Sequence, residues 1–399
     1  MTTSLSKNIT FEKKQPLTQK LLIIPGYCDV LGGTNVSLLM LAKGFALCGL
    51  SDNLCVLIQK DSFLENYFRD AGLDNCVKLI EAVNANQFLK KALRWVGKQP
   101  QEFPLLLDNC VWRNYLPILT LFSPYLRLSG RKLYHFCHDL ALSYNKLGYL
   151  ARKITFASLS PGAICNSQFT AEHIRGFMPD IRGILYQPVD FEKFNIQSVS
   201  SAPPDNLKSI INSGARIILT PSRINKPKIV NDKNLRALIP VLAHLKTMGE
   251  NYHAVTMGED QSPGKIYSQD LRESAINAGV ADRFTILPAA LNIEDYYKCA
   301  DIVVTLAPRE PFGRTVVEAI ACGVPVVGSN TGGINEILQN FAPEWTVNPD
   351  DSLGVAKTII DVTKNSHKQE LLIKGQNWVE NQCGLENYAL GMIKFTGLN

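Results

Sequence analysis

The chain has 399 residues, of which 46% are hydrophobic and 19% charged, with a formal net charge of +5. That is enough chain for two full cores, and the composition is that of an ordinary globular protein. No run of about 18 apolar residues exists to span a membrane, and residues 1–19 are polar, with no signal-peptide core, so they read as a disordered tail.

The ten cysteines include no Cys-x-x-Cys pair and lie mostly in apolar runs. A zinc site or disulfide framework is therefore not expected, and a reducing, cytoplasmic setting is. Residues 1–200 carry 22 Lys/Arg against 15 Asp/Glu, and residues 201–399 carry 19 against 21. The excess concentrates between Asn84 and Lys153, where 11 basic residues face Glu102, Asp108 and Asp139. This asymmetry points to an acidic partner such as an anionic membrane face or a charged acceptor, against a plain solvated face. No nucleic-acid partner is expected.

In chain order, Leu21–Ile24 reads as a strand ending at Pro25-Gly26, followed by a loop with Gly32-Gly33 and a helix from Thr34 to about Cys48. Strands follow at Leu54–Ile58, Val77–Ile80, Leu105–Asp108, Lys132–Phe136, Gly162–Cys165 and Gly183–Tyr186, with helices such as Phe88–Val96 and Ala171–Phe177 between. Strand–helix alternation of this kind implies right-handed crossovers and a parallel sheet covered on both faces. Phe88–Val96 carries Leu89, Leu93 and Val96 at helical spacing beside Lys90, Lys91 and Arg94. It reads either as a membrane-facing helix or as one turned to the core. Arg127, Arg131, Lys132, Arg152 and Lys153 add charge later in the same domain.

Residues 191–215 are rich in Ser, Pro and Asn and read as a linker between a domain at 20–190 and one at 216–382. The second series starts with strand Arg216–Thr220 and the sequence Pro221-Ser222-Arg223. Strands Ala254–Met257 and Phe284–Leu287 follow, and then a helix from Glu294 to Ala300. Helices over 350–363 and 369–382 lead to a last one, Glu386–Lys394, within a terminal segment 383–399.

Between these lies the most informative stretch, Ala307 to Gly333. Pro311 and Gly313 break any helix through it, so Glu310 belongs to a loop, and a short helix should run from Thr315 to Gly323. Strand, glycine-containing loop, helix and strand in that order direct backbone N–H groups and a positive helix end to the carboxyl edge of a parallel sheet, where phosphates bind well. Singly, the residues have plainer readings. Thr315-Val316-Val317-Glu318 fits a capping box, Glu310 a solvated acid, and Gly332-Gly333 a turn.

Together, Glu310 and Glu318 with Phe312-Gly313 and Thr331-Gly332-Gly333 resemble the Glu-x7-Glu signature of the retaining GT-B glycosyltransferases. That resemblance covers about residues 20–395. It implies two Rossmann-like parallel-sheet domains facing across a cleft, with the C-terminal helix crossing back to the first. It also implies transfer of a sugar from a nucleoside diphosphate sugar, with a UDP-sugar as the expected donor, without metal or other cofactor and with retention at the anomeric carbon.

Site residues are carried over by position. Glu310 and His138, at the end of strand Lys132–Phe136, correspond to contacts with the transferred sugar, although beside Asp139 a lone histidine also fits a structural pair. Glu318 corresponds to the ribose acceptor, and Arg223 with a lysine to the diphosphate clamp. Lys233 fits that lysine best, with Lys226 and Lys228 as alternatives. Gly32 and Gly33 match the loop over the donor phosphates. Phe312, Gly313, Arg314 and Thr315 complete the donor contact, and Gly258 and Leu287 border the base. Competing readings are a GT-B nucleotide-sugar 2-epimerase, an inactive nucleotide-sugar-binding subunit, and an NAD-dependent dehydrogenase. The last lacks a Gly-x-Gly-x-x-Gly after the first strand. Acceptor and linkage are not legible in these residues.

Overall fold

Continuous apolar runs such as Leu21-Leu-Ile-Ile24 suit strands buried on both faces, because helices cover each side of a parallel sheet. In the computed structural model, which describes residues 17–29, 32–142, 146–197, 203–226 and 232–398, such runs form two sheets. The first holds β1 (Leu21–Pro25), β2 (Leu54–Gln59), β3 (Val77–Ile80), β4 (Leu105–Asp108), β5 (Leu133–Cys137), β6 (Gly162–Cys165) and β7 (Ile181–Ile184) in the order β3-β2-β1-β4-β5-β6-β7. It is covered by α1 (Gly33–Leu47), α2 (Phe63–Asp70), α3 (Ala85–Val96), α4 (Leu116–Leu128), α5 (Lys146–Leu159) and α6 (Gln168–Ile174).

After α7 (Asp205–Asn212), the second sheet holds β8 (Arg216–Pro221), β9 (Tyr252–Met257), β10 (Phe284–Leu287), β11 (Ile302–Thr305), β12 (Val326–Ser329) and β13 (Thr346–Val347), in the order β10-β9-β8-β11-β12-β13. Its helices are α8 (Leu238–Thr247), α9 (Ile266–Asn277), α10 (Ile293–Lys298), α11 (Arg314–Ala321), α12 (Gly332–Leu338), α13 (Ser352–Lys364) and α14 (Lys368–Cys383). Every strand pair is parallel, from β1 with β2 to β12 with β13. This is the doubly wound arrangement twice over, with strand order reversing between β1 and β4 and again between β8 and β11.

Three expectations are corrected. The span 191–215 is not an unstructured linker throughout. It contains α7, whose Leu207 and Ile210 are buried in the second core. The Ser/Pro/Asn composition hid that short amphipathic helix. Strand β7 lies two residues earlier than Gly183–Tyr186, and the β6–β7 register shifts between Ala163 and Ile164. On α3, Phe88, Leu89, Ala92, Leu93 and Val96 are all buried in the first core, so no apolar face of that helix is left for a membrane.

Residues 17 and 19 of the polar N-terminal segment are held, their carbonyls accepting from the Asn53 side chain at 2.9 and 3.0 Å. The last helix, α15 (Leu385–Thr396), returns to the first domain and contributes Tyr388, Ala389 and Met392 to its core. Close approach to α1 requires glycine at 44, since a Cβ there would lie 2.3 Å from the Leu385 carbonyl oxygen.

Candidate active site

Both strand-order reversals open on one cleft of about 660 Å³ between the sheets. From the first domain it receives the ends of β1, β4 and β5, with Tyr27, Asn109 and His138, and from the second the ends of β8 and β11, with Arg223 and the loop through Glu310. A crevice outside the carboxyl ends of parallel strands at such reversals is where open α/β sheets bind ligands.

The Glu310 loop is built from behind. Gly313, at φ 107°, turns the chain into α11, a conformation that L side chains rarely adopt. Thr331 Oγ1 donates to the Pro308 carbonyl at 2.7 Å, and the Gly333 N–H donates to the Glu310 carbonyl at 2.8 Å. A Cβ on Gly333 would sit 2.3 Å from the Phe312 carbonyl oxygen. The Thr-Gly-Gly run is therefore a brace for the loop rather than a simple turn, and it opens α12. Into the cleft, Glu310 Oε2 accepts from Lys233 Nζ at 2.5 Å, each side chain about one-fifth exposed (20% and 21%). The two residues carried separately to sugar and phosphate thus meet as an ion pair.

Helix α11 begins at Arg314, with Gly313 preceding it and no side-chain cap, so the Thr315–Glu318 capping box does not form. The Glu318 carboxylate instead accepts from the buried Tyr297 hydroxyl at 3.0 Å and lies 3.8 Å from the Arg314 guanidinium. Burial raises its pKa, opposed in part by Arg314 and the Tyr297 hydrogen bond. Arg314 itself crosses the cleft. Its guanidinium donates to the carbonyls of Pro188 at 3.2 Å and Gly33 at 3.3 Å, and to Ser37 Oγ at 2.5 Å.

His138 follows β5 and is buried. Its Nε2 lies 2.7 Å from Asp108 Oδ1 on β4, and its Nδ1 lies 3.0 Å from the Gln187 side-chain nitrogen. With the proton on Nε2, the ring donates to Asp108 and accepts from Gln187, so both nitrogens have protein partners. The neighbour expected to pair with it, Asp139, instead accepts from the Ala141 N–H at 2.7 Å. Sheet order explains the exchange, since β4 lies beside β5 and brings Asp108 across from a point thirty residues away in the chain.

The cleft therefore gathers Gly32, Gly33, His138, Arg223, Lys233, Glu310, Phe312, Gly313, Arg314 and Thr315. Glu318 sits just behind it. Gly258 and Leu287 lie outside the lining, joined by a hydrogen bond from the Gly258 N–H to the Leu287 carbonyl at 3.0 Å. Lys226 is exposed and away from the lining, and Lys228 falls outside the described residues. Asp108, Gln187 and Tyr297 were not singled out from sequence, because their partners are distant in the chain. Arg309, one residue before Glu310, lines the cleft and could have been noticed from its place in the motif. Among the described residues no group of three or more His, Cys, Asp or Glu could hold a metal ion.

A cleft between two doubly wound parallel sheets, crossed by a returning C-terminal helix, defines the GT-B fold. Solved structures agree on this architecture. Anabaena Alr3699/HepE in complex with UDP superposes with a TM-score of 0.74 at 18% identity, covering 95% of this chain and 100% of that one. Sucrose-phosphate synthase from Thermosynechococcus elongatus gives 0.67 at 16% identity, covering 95% and 98%. Residues 206–378 match the family described as "Glycosyl transferases group 1". Among curated relatives, the lipopolysaccharide core biosynthesis mannosyltransferase LpsB of Rhizobium meliloti is 33% identical over 94 residues, 24% of this chain and 27% of that protein. Alpha-monoglucosyldiacylglycerol synthase of Streptococcus pneumoniae is 24% identical over 187 residues, 45% of this chain and 40% of that protein. The chain thus spans well under half the length of these curated relatives.

Proposed function

We propose that the protein is a retaining glycosyltransferase that moves a sugar from a nucleoside diphosphate sugar, a UDP-sugar first among donors, to an acceptor bound from the first-domain side. The observation that carries this reading is the convergence of Arg223, Lys233 and the start of α11 on the loop bearing Glu310, inside one interdomain cleft. A departing diphosphate needs positive charge. Arg223 and Lys233 supply it as ions, and the first N–H groups of α11 supply it as unpaired donors. Charge-assisted hydrogen bonds of this kind are worth roughly 1.5–3 kcal/mol each. Glu310 is the acceptor nearest the developing charge of the sugar, with Lys233 holding its orientation. Glu318, on α11, is assigned to the ribose hydroxyls. His138 offers the sugar its ring edge, since its ring nitrogens and its backbone N–H and carbonyl are engaged by Asp108, Gln187, Asn109 and Asn166.

Support for the donor comes from the similarity to structures of Alr3699/HepE described with UDP and with UDP-glucose. With the leaving group neutralised by side chains and backbone, turnover should survive chelation by EDTA, and an absolute requirement for Mg²⁺ or Mn²⁺ would count against this clamp. The deciding experiment is a melting-temperature panel of UDP, GDP and ADP, followed by NMR of the product formed from the sugar of the best nucleotide. A ligand at 100 times its dissociation constant adds about 2.7 kcal/mol of stability, so the right base gives a clear shift. The expected product keeps the donor's anomeric configuration. An inverted product, or a free 2-epimerised sugar nucleotide, would overturn the assignment.

A further inference from the structure

The first domain carries an uncovered apolar face. Seven of the twenty large hydrophobic residues exposed among the described residues lie on α4 and α5, where Leu121 is 73% exposed, Leu128 89% and Leu147 77%. Elsewhere such residues are scattered, which is ordinary for a soluble surface. Here they share one side of a helix pair. Thr120 and Thr155 meet at 2.8 Å in the seam between the two helices. Their sequence neighbours Leu121 and Ile154 flank that seam on the solvent side, while Leu119, Leu126, Phe156 and Leu159 face the core. At 3.6 residues per turn, Leu128 continues the Leu121 stripe, and Leu147 and Leu150 continue the Ile154 stripe. The tyrosines of these helices are set apart. Tyr149 packs on Phe177, and the Tyr125 ring lies over Gly97.

Charge identifies what covers this face. Neither helix contains a single acidic residue, whereas Arg127 and Lys146 stand exposed at the ends and Lys153 is exposed within α5. Apolar side chains fringed by cations alone complement an anionic lipid surface, where the former enter the headgroup boundary and the latter meet phosphates. A protein partner of mixed surface charge would set some of its own cations against these, which a uniformly anionic surface does not. The face also starts beside the cleft. Trp112, which lines it, stands one turn before α4. We infer that the outer face of α4 and α5 docks the protein on an anionic bilayer, with the cleft mouth brought to the lipid surface. Here α4 and α5 take the role that the sequence offered to the Phe88–Val96 stretch, whose apolar side is buried.

The test is co-sedimentation of the full chain with phosphatidylcholine vesicles and with vesicles of phosphatidylcholine and phosphatidylglycerol in equal parts, at low and high salt. Binding should occur on the anionic vesicles alone and weaken with salt. The triple variant Leu128→Ser/Leu147→Ser/Ile154→Ser should lower the partition coefficient about tenfold or more, because inserted leucine and isoleucine side chains are lost. Lys146→Glu/Lys153→Glu should act similarly. Leu47→Ser/Ile276→Ser, also exposed but on other helices, should leave binding unchanged. The melting temperature of the triple variant, and its shift with UDP, should match those of the unaltered chain, which separates docking from folding and from the cleft chemistry. Absence of binding to anionic vesicles at low salt would overturn the inference, as would binding that survives the triple variant. So would sedimentation velocity showing a dimer that the triple variant dissolves, since a second copy would then be the occupant.

Discussion

Glu310 and Lys233 illustrate how two side chains acquire one task. At 2.5 Å each is the other's counter-ion before any substrate is present. Removing either leaves a partly buried charge unpaired as well as deleting its own contact. Lys233→Ala should therefore lower kcat by two or more orders of magnitude while Lys226→Ala changes it little, measured by steady-state release of the nucleoside diphosphate. Equal losses in the two variants would remove Lys233 from the clamp.

Glu318 makes a different prediction. Burial raises its pKa above the usual carboxylate range, so the folded state binds its proton more tightly than the unfolded chain does. Its contribution to stability is fully present below the unfolded pKa of about 4.3 and declines as pH rises through the raised folded value. Glu318→Gln cannot ionise and can keep a hydrogen bond from Tyr297. Thermal melts at several pH values across that window should show a flatter pH profile for the variant. Identical profiles would mean that the carboxylate is not the group titrating.

At the scale of elements, the loop through Glu310 depends on the start of α12 more than on its own sequence. The Gly333 backbone lies against Phe312 so closely that a methyl group would have to displace main chain. Gly333→Ala should then shift Glu310 and lower kcat by at least about tenfold, equivalent to ~1.4 kcal/mol of barrier. The KM for the donor should move less, because Arg223 and Lys233 stand on other elements. A variant with unaltered kcat would show that the loop tolerates the displacement. Strand β12 and helix α12 thus contribute to the site although neither carries a side chain proposed to touch the donor.

At the scale of the whole molecule, the two lobes are tied at both flanks of the cleft. On one flank Arg314 reaches Gly33, Ser37 and Pro188. On the other, the Glu336 carboxylate on α12 accepts from the N–H groups of Gln168 and Phe169 at the start of α6, at 2.8 and 3.1 Å, and from the Tyr186 hydroxyl at 3.0 Å. A carboxylate at a helix N-terminus is favourable by about 0.3–1 kcal/mol, rising with burial. Glu336→Ala should loosen the lobes without unfolding either, since each retains its own core. Small-angle scattering should report a larger radius of gyration without nucleotide, and the donor KM should rise several-fold. An unchanged radius would place the closing force elsewhere.

Much of the architecture was legible in the residues because it is written in local patterns. Continuous apolar runs separated by helical periods specify buried parallel strands, and Pro311, Gly313 and Gly323 punctuate the Glu310 loop and α11 within a residue or two of where they fall. Patterns of that sort depend on neighbours in sequence, so α7 was hidden where composition outweighed period, and β7 begins two residues earlier than its apolar pattern suggested. Tertiary structure alone decided who meets whom across the sheets. Asp108 reaches His138 because β4 lies beside β5, and Lys233 reaches Glu310 because β8 lies beside β11. It also decided that the basic helix α3 turns its apolar side inward while α4 and α5 leave theirs in solvent. Amphipathic period states that a helix has an apolar face. Which surface covers that face depends on the packing of elements that the period does not encode.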